Sequence, residues 1–201
     1  GTNLQATATV AEKVKGFTVE AGGDLDIMTS DAVPQAGSNH NTVNLTFKHI
    51  LAKLNVTFAK AAVLDGSTVT VKSVTITGLN DCGSYKESTY AYDTTTDPVT
   101  MTSGWTASVN NAGYALAYTG SQELNASAGN PYFFIESLVI PQTVLATAEL
   151  VAKYTIKTGT YSEDYTYKCA LTSAFASFYD RFNYFLKFTI APDVIKFDPI
   201  V

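Results

Sequence analysis

The chain is poor in the residue types on which most site chemistry depends. Two histidines, His40 and His49, and two cysteines, Cys82 and Cys169, are all that occur in 201 residues. The cysteines are far apart in sequence and neither has a histidine nearby, so the spacing of a zinc site is missing. An oxidising compartment would allow a disulfide. Two cysteines without a framework of spacings fit better with independent thiols, Cys82 in the loop Asp81-Cys82-Gly83 and Cys169 in a strand. Arginine is scarcer still: Arg181 stands beside twelve lysines, and no window gathers basic residues into a stripe with aromatic platforms. With a formal net charge of -5, nucleic acid is excluded as a partner, because neutralising phosphates needs such a stripe. No apolar run reaches the roughly 18 residues of a transmembrane helix. The start, Gly1-Thr2-Asn3, lacks the basic and apolar regions of a signal peptide, which fits a mature or trimmed form. Gly-x-Ser-x-Gly and Gly-rich phosphate loops are also missing, so the expectation is a non-enzymatic protein with no catalytic residues, no metal and no cofactor.

What is present is strand-forming. A chain that is 46% hydrophobic and 15% charged can bury a core and is not a solvated, disordered segment. Thr, Val, Tyr and Phe dominate, and period-two alternation recurs where helical spacing hardly does, which predicts an all-β fold. Residues 1–36 are the least regular and read as a leading segment with a short strand near Phe17-Thr18-Val19; residues 37–201 read as a β-sandwich domain.

Two slips of the apolar phase carry the sandwich reading. Val43, Leu45 and Phe47 are odd-numbered, whereas Leu54, Val56 and Phe58 are even-numbered. A slip of one residue turns every side chain to the other face, so the chain must bulge, bend or change sheets between His49 and Lys53. The same happens after Asp65-Gly66, where Val69 and Val71 give way to Val74 and Ile76. Bulged or sheet-switching strands suit a sandwich better than a flat meander.

Between Asp81 and Asn130, short strands are expected near 88–92, 99–101, 105–108 and 114–118. Phe133 to Ile140 is an apolar run closed by Pro141. Ala148 to Ile156 alternates, Lys157-Thr158-Gly159-Thr160 turns, and Tyr161, Tyr165, Tyr167, Cys169 and Leu171 line one face of the hairpin partner. Phe175, Phe178 and Tyr179 at i, i+3 and i+4 suggest a short helical turn over 173–180. Tyr184, Leu186, Phe188 and Ile190 alternate cleanly, and after Pro192-Asp193 the pattern resumes with Ile195, Phe197 and Val201.

The stretch Asp24-Leu25 followed by Val43-Asn44-Leu45-Thr46-Phe47-Lys48-His49-Ile50-Leu51-Ala52-Lys53-Leu54 resembles the fimbrillin (Mfa-like) pattern of Bacteroides and Porphyromonas. So do Val74 to Leu79, Leu138-Val139-Ile140-Pro141-Gln142, and the closing Asn183 to Leu186 and Ile195 to Pro199, in the right order over roughly residues 24 to 201. The resemblance implies a transthyretin-like antiparallel β-sandwich and export as a lipoprotein precursor to the outer surface. It also implies assembly with other fimbrial subunits by strand complementation. Family members carry an N-terminal domain ahead of the Asp-Leu segment, of which residues 1–36 would be a remnant.

Ile195, Phe197 and Val201 are the candidate plugs of an assembly strand, since an alternating strand can complete its own sheet or be lent to a neighbour. Tyr90, Tyr92, Trp105, Tyr114 and Tyr118 admit two readings: a platform for a surface glycan, or core covered by aromatic area, which is how such rings are usually spent. A surface glycan-binding module is therefore the rival to a fimbrial subunit, and a host or bacterial surface ligand is a further expected partner. His49 lies in the most recognisable motif, yet no partner set for a triad exists, so a hydrogen-bonded histidine at a strand bend is expected. Asp24 with Asp26, and Asp93 with Asp97, lack the dense oxygen spacing of a calcium loop and read as turn residues.

Overall fold

The structure is a computed structural model. It describes residues 14–23, 25–30, 42, 44–86, 89–91, 100–124, 131–192 and 195–200, with the backbone alone for 89–91, 100–102 and 195–199. In chain order the strands are β1 (Val14–Thr18), β2 (Met28–Ser30), β3 (Phe47–His49), β4 (Ala52–Lys60), β5 (Thr68–Thr77) and β6 (Cys82–Tyr85). Then come β7 (Thr89–Ala91), β8 (Thr100–Thr102), β9 (Trp105–Ser108), β10 (Ala115–Leu124), β11 (Tyr132–Val139) and β12 (Gln142–Thr143). The last are β13 (Glu149–Thr158), β14 (Tyr161–Ala170), β15 (Ser177–Phe178), β16 (Asn183–Ile190) and β17 (Ile195–Ile200). Two short 3-10 turns, Ala62–Leu64 and Leu171–Ser173, are the helical elements among the described residues.

Two four-stranded sheets make an all-β sandwich, ordered β10-β5-β13-β14 and β11-β4-β16-β17. Period two decides what lies between them. Val69, Val71, Val74, Ile76, Leu150 and Ala152 point in from one sheet and Leu54, Val56, Phe58, Leu186, Phe188 and Ile190 from the other, all essentially without solvent contact. Burying each of the Val, Leu, Ile and Phe side chains among these stabilises by about 1.5–3 kcal/mol. Rings connect the layers: Tyr118 of β10 meets Phe134 of β11 edge-on at 4.8 Å, and Tyr167 of β14 meets Phe188 of β16 at 5.8 Å. All pairings are antiparallel except β4 with β16, which run parallel with Leu54 beside Tyr184, Val56 beside Leu186 and Phe58 beside Phe188.

Both phase slips are real, and they are solved differently. After Asp65-Gly66 the chain bulges: Ser73 lies opposite Lys153 and Val71 opposite Tyr154, so Lys72 is skipped. The extra residue keeps Val69 and Val71 on the same buried face as Val74 and Ile76. Between His49 and Lys53 the chain instead leaves one sheet for another. β3 pairs with β2 in a separate two-stranded ribbon, Ile50 and Leu51 are buried at the corner, and β4 enters the sandwich. Two of the odd-phase residues before the corner do not reach the core, Leu45 being 49% exposed and Phe47 59%, and Val43 lies outside the described residues.

The helical turn expected over 173–180 is not formed. The 3-10 turn precedes it at Leu171–Ser173, and Ser177–Phe178 is a bridge strand paired with β12. Phe175, Phe178 and Tyr184 pack edge-on or tilted within 5.7 Å of one another, so the aromatic spacing reports ring packing rather than helix. Cys82 lies in β6, not in a loop, and β6 with β1 and β9 forms a three-stranded sheet at one end of the sandwich.

Gly78 closes β5 with φ +78°, and a Cβ there would sit 2.8 Å from Ala148 Cα and 2.8 Å from Thr147 O, both backbone atoms that cannot swing away. Gly78→Ala is therefore expected to lower unfolding free energy by about 1–3 kcal/mol, measured by chemical denaturation. An unchanged midpoint would show that this turn relaxes freely.

Candidate functional site

The two sheets touch along one side of the sandwich and stand open to pairing along the other. On the first side β10 and β11 are neighbours and the two sheets meet through Tyr118 and Phe134. On the open side each sheet ends on an edge strand, β17 in one and β14 in the other. β17 runs antiparallel to β16, with Ile195 opposite Ile190, Phe197 opposite Phe188 and Ile200 opposite Phe185. Thus the candidate assembly strand completes its own chain's sheet here, and Val201 lies outside the described residues. Pro199 falls opposite Leu186 on this edge, where a missing N–H is tolerated.

β14 forms the other lip. Tyr161 and Tyr165 each donate a phenol hydrogen bond to Glu163 Oε2 at 2.7 Å, and Tyr165 also stacks on Tyr154 with centroids 5.3 Å apart. The hydrogen bond to Glu163 is the main cause that pushes Tyr165 up to about 12, while the two phenols hold the Glu163 carboxyl below its ordinary value. Alternation placed the tyrosines on one face, but the pairing with Glu163 was not read from the sequence. The i, i+2, i+4 spacing on a strand was the available signal.

The aromatics of the middle segment disperse. Trp105 is 8% exposed, packs at 5.5 Å from Tyr85, and donates its indole N–H to Ile50 O at 2.5 Å. Tyr114 is equally buried, and its hydroxyl has no hydrogen-bond partner among the described residues. Tyr118 is half-buried against Phe134. These rings put their area into the interior. Tyr90 lies in β7, where the backbone alone is described, and Tyr92 lies outside the described residues.

His49 ends β3 and its Nδ1 is hydrogen-bonded to Asp26 Oδ2 on the neighbouring segment. The pair borders a cavity of about 240 Å³ lined also by Leu51, Lys53, Arg181 and Phe182. Arg181, the lone arginine, takes φ +70° and its N–H bonds Leu51 O, which pins the corner between β3 and β4. No group of three or more metal-ligating side chains occurs among the described residues. Asp24, Asp93 and Asp97 lie outside them. Cys82 and Cys169 are both free thiols, half-buried in β6 and β14.

A fimbrillin-like family model matches residues 2–185, a span that starts ahead of the Asp-Leu segment and stops before β17. No curated protein matches the chain. Among solved structures, a protein of Bacteroides uniformis provisionally assigned to cell adhesion is 20% identical, with 94% of this chain and 66% of that one covered and a TM-score of 0.47. A second, from Bacteroides eggerthii and with the same provisional assignment, is 13% identical over 86% of this chain and 62% of its own, with a TM-score of 0.49. The chain thus spans less than two thirds of the length of these structures.

Burial, reinforced by the Asp81 carboxylate, pushes the Tyr114 phenol up to about 12, and burial does the same for Tyr184. Their folded values lie above the ordinary 10.0. The folded state therefore holds protons that the unfolded state releases, and the stabilisation, complete below pH 10, is lost as pH rises toward 12. Phenolate absorbance of these two rings is expected to appear together with loss of near-ultraviolet dichroism in that window; ionisation at pH 10 with the fold intact would contradict their burial. Tyr114→Phe removes the unpartnered buried hydroxyl and is expected to raise stability by about 1 kcal/mol in denaturant unfolding.

Proposed function

The chain belongs to the fimbrillin-like family, and on that premise we infer that it is a non-enzymatic subunit or accessory piece of a bacterial fimbria, acting at the cell surface in adhesion. The observation that carries this reading is the family match over residues 2–185. The open side of the sandwich supports it physically. β17 is held on one side by β16, and no strand pairs with its other side among the described residues. A six-residue strand in that position is a unit that can be exchanged: its ladder is made of backbone hydrogen bonds that any extended segment can replace, and alternate side chains supply selectivity.

In this reading β17 of one subunit leaves β16 and pairs in the equivalent place of another fimbrial subunit, with Ile195, Phe197 and Val201 as plugs. Lipid anchoring of an exported precursor and contact with a host or bacterial surface ligand belong to the same proposal. Chemistry has no part in it, since His49 has Asp26 as its ring partner and no nucleophile motif accompanies them.

Phe197→Asp is expected to abolish incorporation of the chain into fimbriae, scored by immunogold labelling of cells, while the purified variant keeps its β-sheet circular dichroism. Incorporation at the wild-type level would reject lending of this strand. Loss of fimbriae on deleting the whole chain would separately support the fimbrial role.

A further inference from the structure

The second edge, β14, carries a pattern that the fimbrial reading does not use. Its pairing with β13 runs unbroken through ten residue pairs, from Thr158 opposite Tyr161 to Glu149 opposite Ala170, without a bulge. No strand pairs with its other side among the described residues. Gly159 and Thr160 form the loop, with Gly159 at φ +60° as a type II′ turn requires at its first central position. The closing pair Thr158 and Tyr161 is therefore hydrogen-bonded, and bonded and non-bonded pairs alternate from there. Odd-numbered residues of β14 thus bond inward to β13, in keeping with Leu171 N–H bonding Ala148 O just beyond the strand. The even-numbered residues, Ser162, Asp164, Thr166, Lys168 and Ala170, direct their N–H and C=O groups outward, and their side chains are exposed.

We propose that β14 pairs antiparallel with β14 of a second copy of this chain, about a twofold axis through Thr166, joining the β10-β5-β13-β14 sheets into one. Backbone geometry alone permits registers centred on residues 165, 166 or 167, because each sets outward-facing residues opposite one another. The side chains select among them. Centring on Thr166 puts Asp164 opposite Lys168 of the second copy, twice by symmetry, with Thr166 facing itself and Ser162 facing Ala170. Opposite charges and Thr–Thr neighbours are favourable cross-strand pairs. Centring on 165 or 167 puts the charges opposite Thr166, Ser162 or Ala170 instead. A twofold contact demands a surface complementary to itself, and this short strand is so by sequence. The groups are available: Lys168 is 64% exposed and touches Glu149 only at 3.6 Å, and Asp164 accepts one hydrogen bond from Thr155 through Oδ1. On the other face Tyr165 would lie opposite Tyr167 of the second copy, extending the tyrosine row. The contact does not involve β17.

Sedimentation velocity across a concentration series tests this. The chain is expected to dimerise reversibly. Asp164→Lys sets lysine opposite lysine and Lys168→Asp sets aspartate opposite aspartate, so each should weaken the dimer by about tenfold or more. The double exchange Asp164→Lys with Lys168→Asp recreates the complementarity and should recover wild-type association. A chain that stays monomeric at the highest attainable concentration overturns the proposal, as does a double exchange no better than its parents. Register is read separately by oxidation in a Cys82→Ser, Cys169→Ser background. Bonded antiparallel pairs hold their Cα atoms about 5.5 Å apart, within disulfide reach. Thr166→Cys should therefore cross-link with itself and Ser162→Cys should not; the reverse result refutes the Thr166 centre.

Discussion

The parallel pairing of β4 with β16 is the constraint on which the rest of the molecule depends. These strands are separated by more than half of the chain, yet they are matched residue for residue from Lys53 beside Asn183 to Lys60 beside Ile190. The register sets Leu54, Val56 and Phe58 in rows with Tyr184, Leu186 and Phe188, and the Phe58 and Phe188 rings stack 4.8 Å apart. A shift of one residue would turn half of these side chains outward. The strand is so central that it is buried on both faces: Asn55 and Thr57, polar and outward by alternation, are each 2% exposed. Asn55 is satisfied there by Asn183 and by Tyr184 O.

With the centre fixed, the corners and edges follow. The break at Ile50-Leu51 is held by backbone bonds from Ile50 to Ile27 and from Arg181 to Leu51, and by the Trp105 indole on Ile50 O. These fasten the two-stranded ribbon and the three-stranded end sheet to the sandwich. The most recognisable sequence motif, Phe47 to Leu54, therefore runs through a structural corner, where His49 is hydrogen-bonded to Asp26. The two sheets touch through β10 and β11 on one side and end on β14 and β17 on the other. Edges of this kind invite pairing unless they are guarded.

Much of the fold was legible because period two and its interruptions are local. The bulge at Lys72, the corner after His49 and the β13–β14 hairpin were visible as phase or turn chemistry, and strands were expected where β7, β8, β9 and the start of β10 lie, although β10 runs on to Leu124. Other features were not. Leu45 and Phe47 alternate as convincingly as Leu54 and Val56, yet their ribbon lies outside the two core sheets, and alternation cannot say whether a second layer exists to cover a face. Phe175, Phe178 and Tyr179 mimicked helical spacing because rings meeting around Tyr184 come from a turn and a bridge strand. The phenols on Glu163 follow from i, i+2 spacing on one strand face, a signal that alternation alone does not single out.

The sequence by itself determined that this is an all-β chain, where its strands change face, and to which family it is akin, because these depend on near-neighbour geometry and on residue order. Only the tertiary structure decided that β4 lies parallel to β16, that Trp105 and Tyr114 point into the interior, and that β14 and β17 each end a sheet. The physical reason is that strand partners and layer contacts are chosen by closure of the whole apolar interior. That closure is a global condition no single window of residues contains.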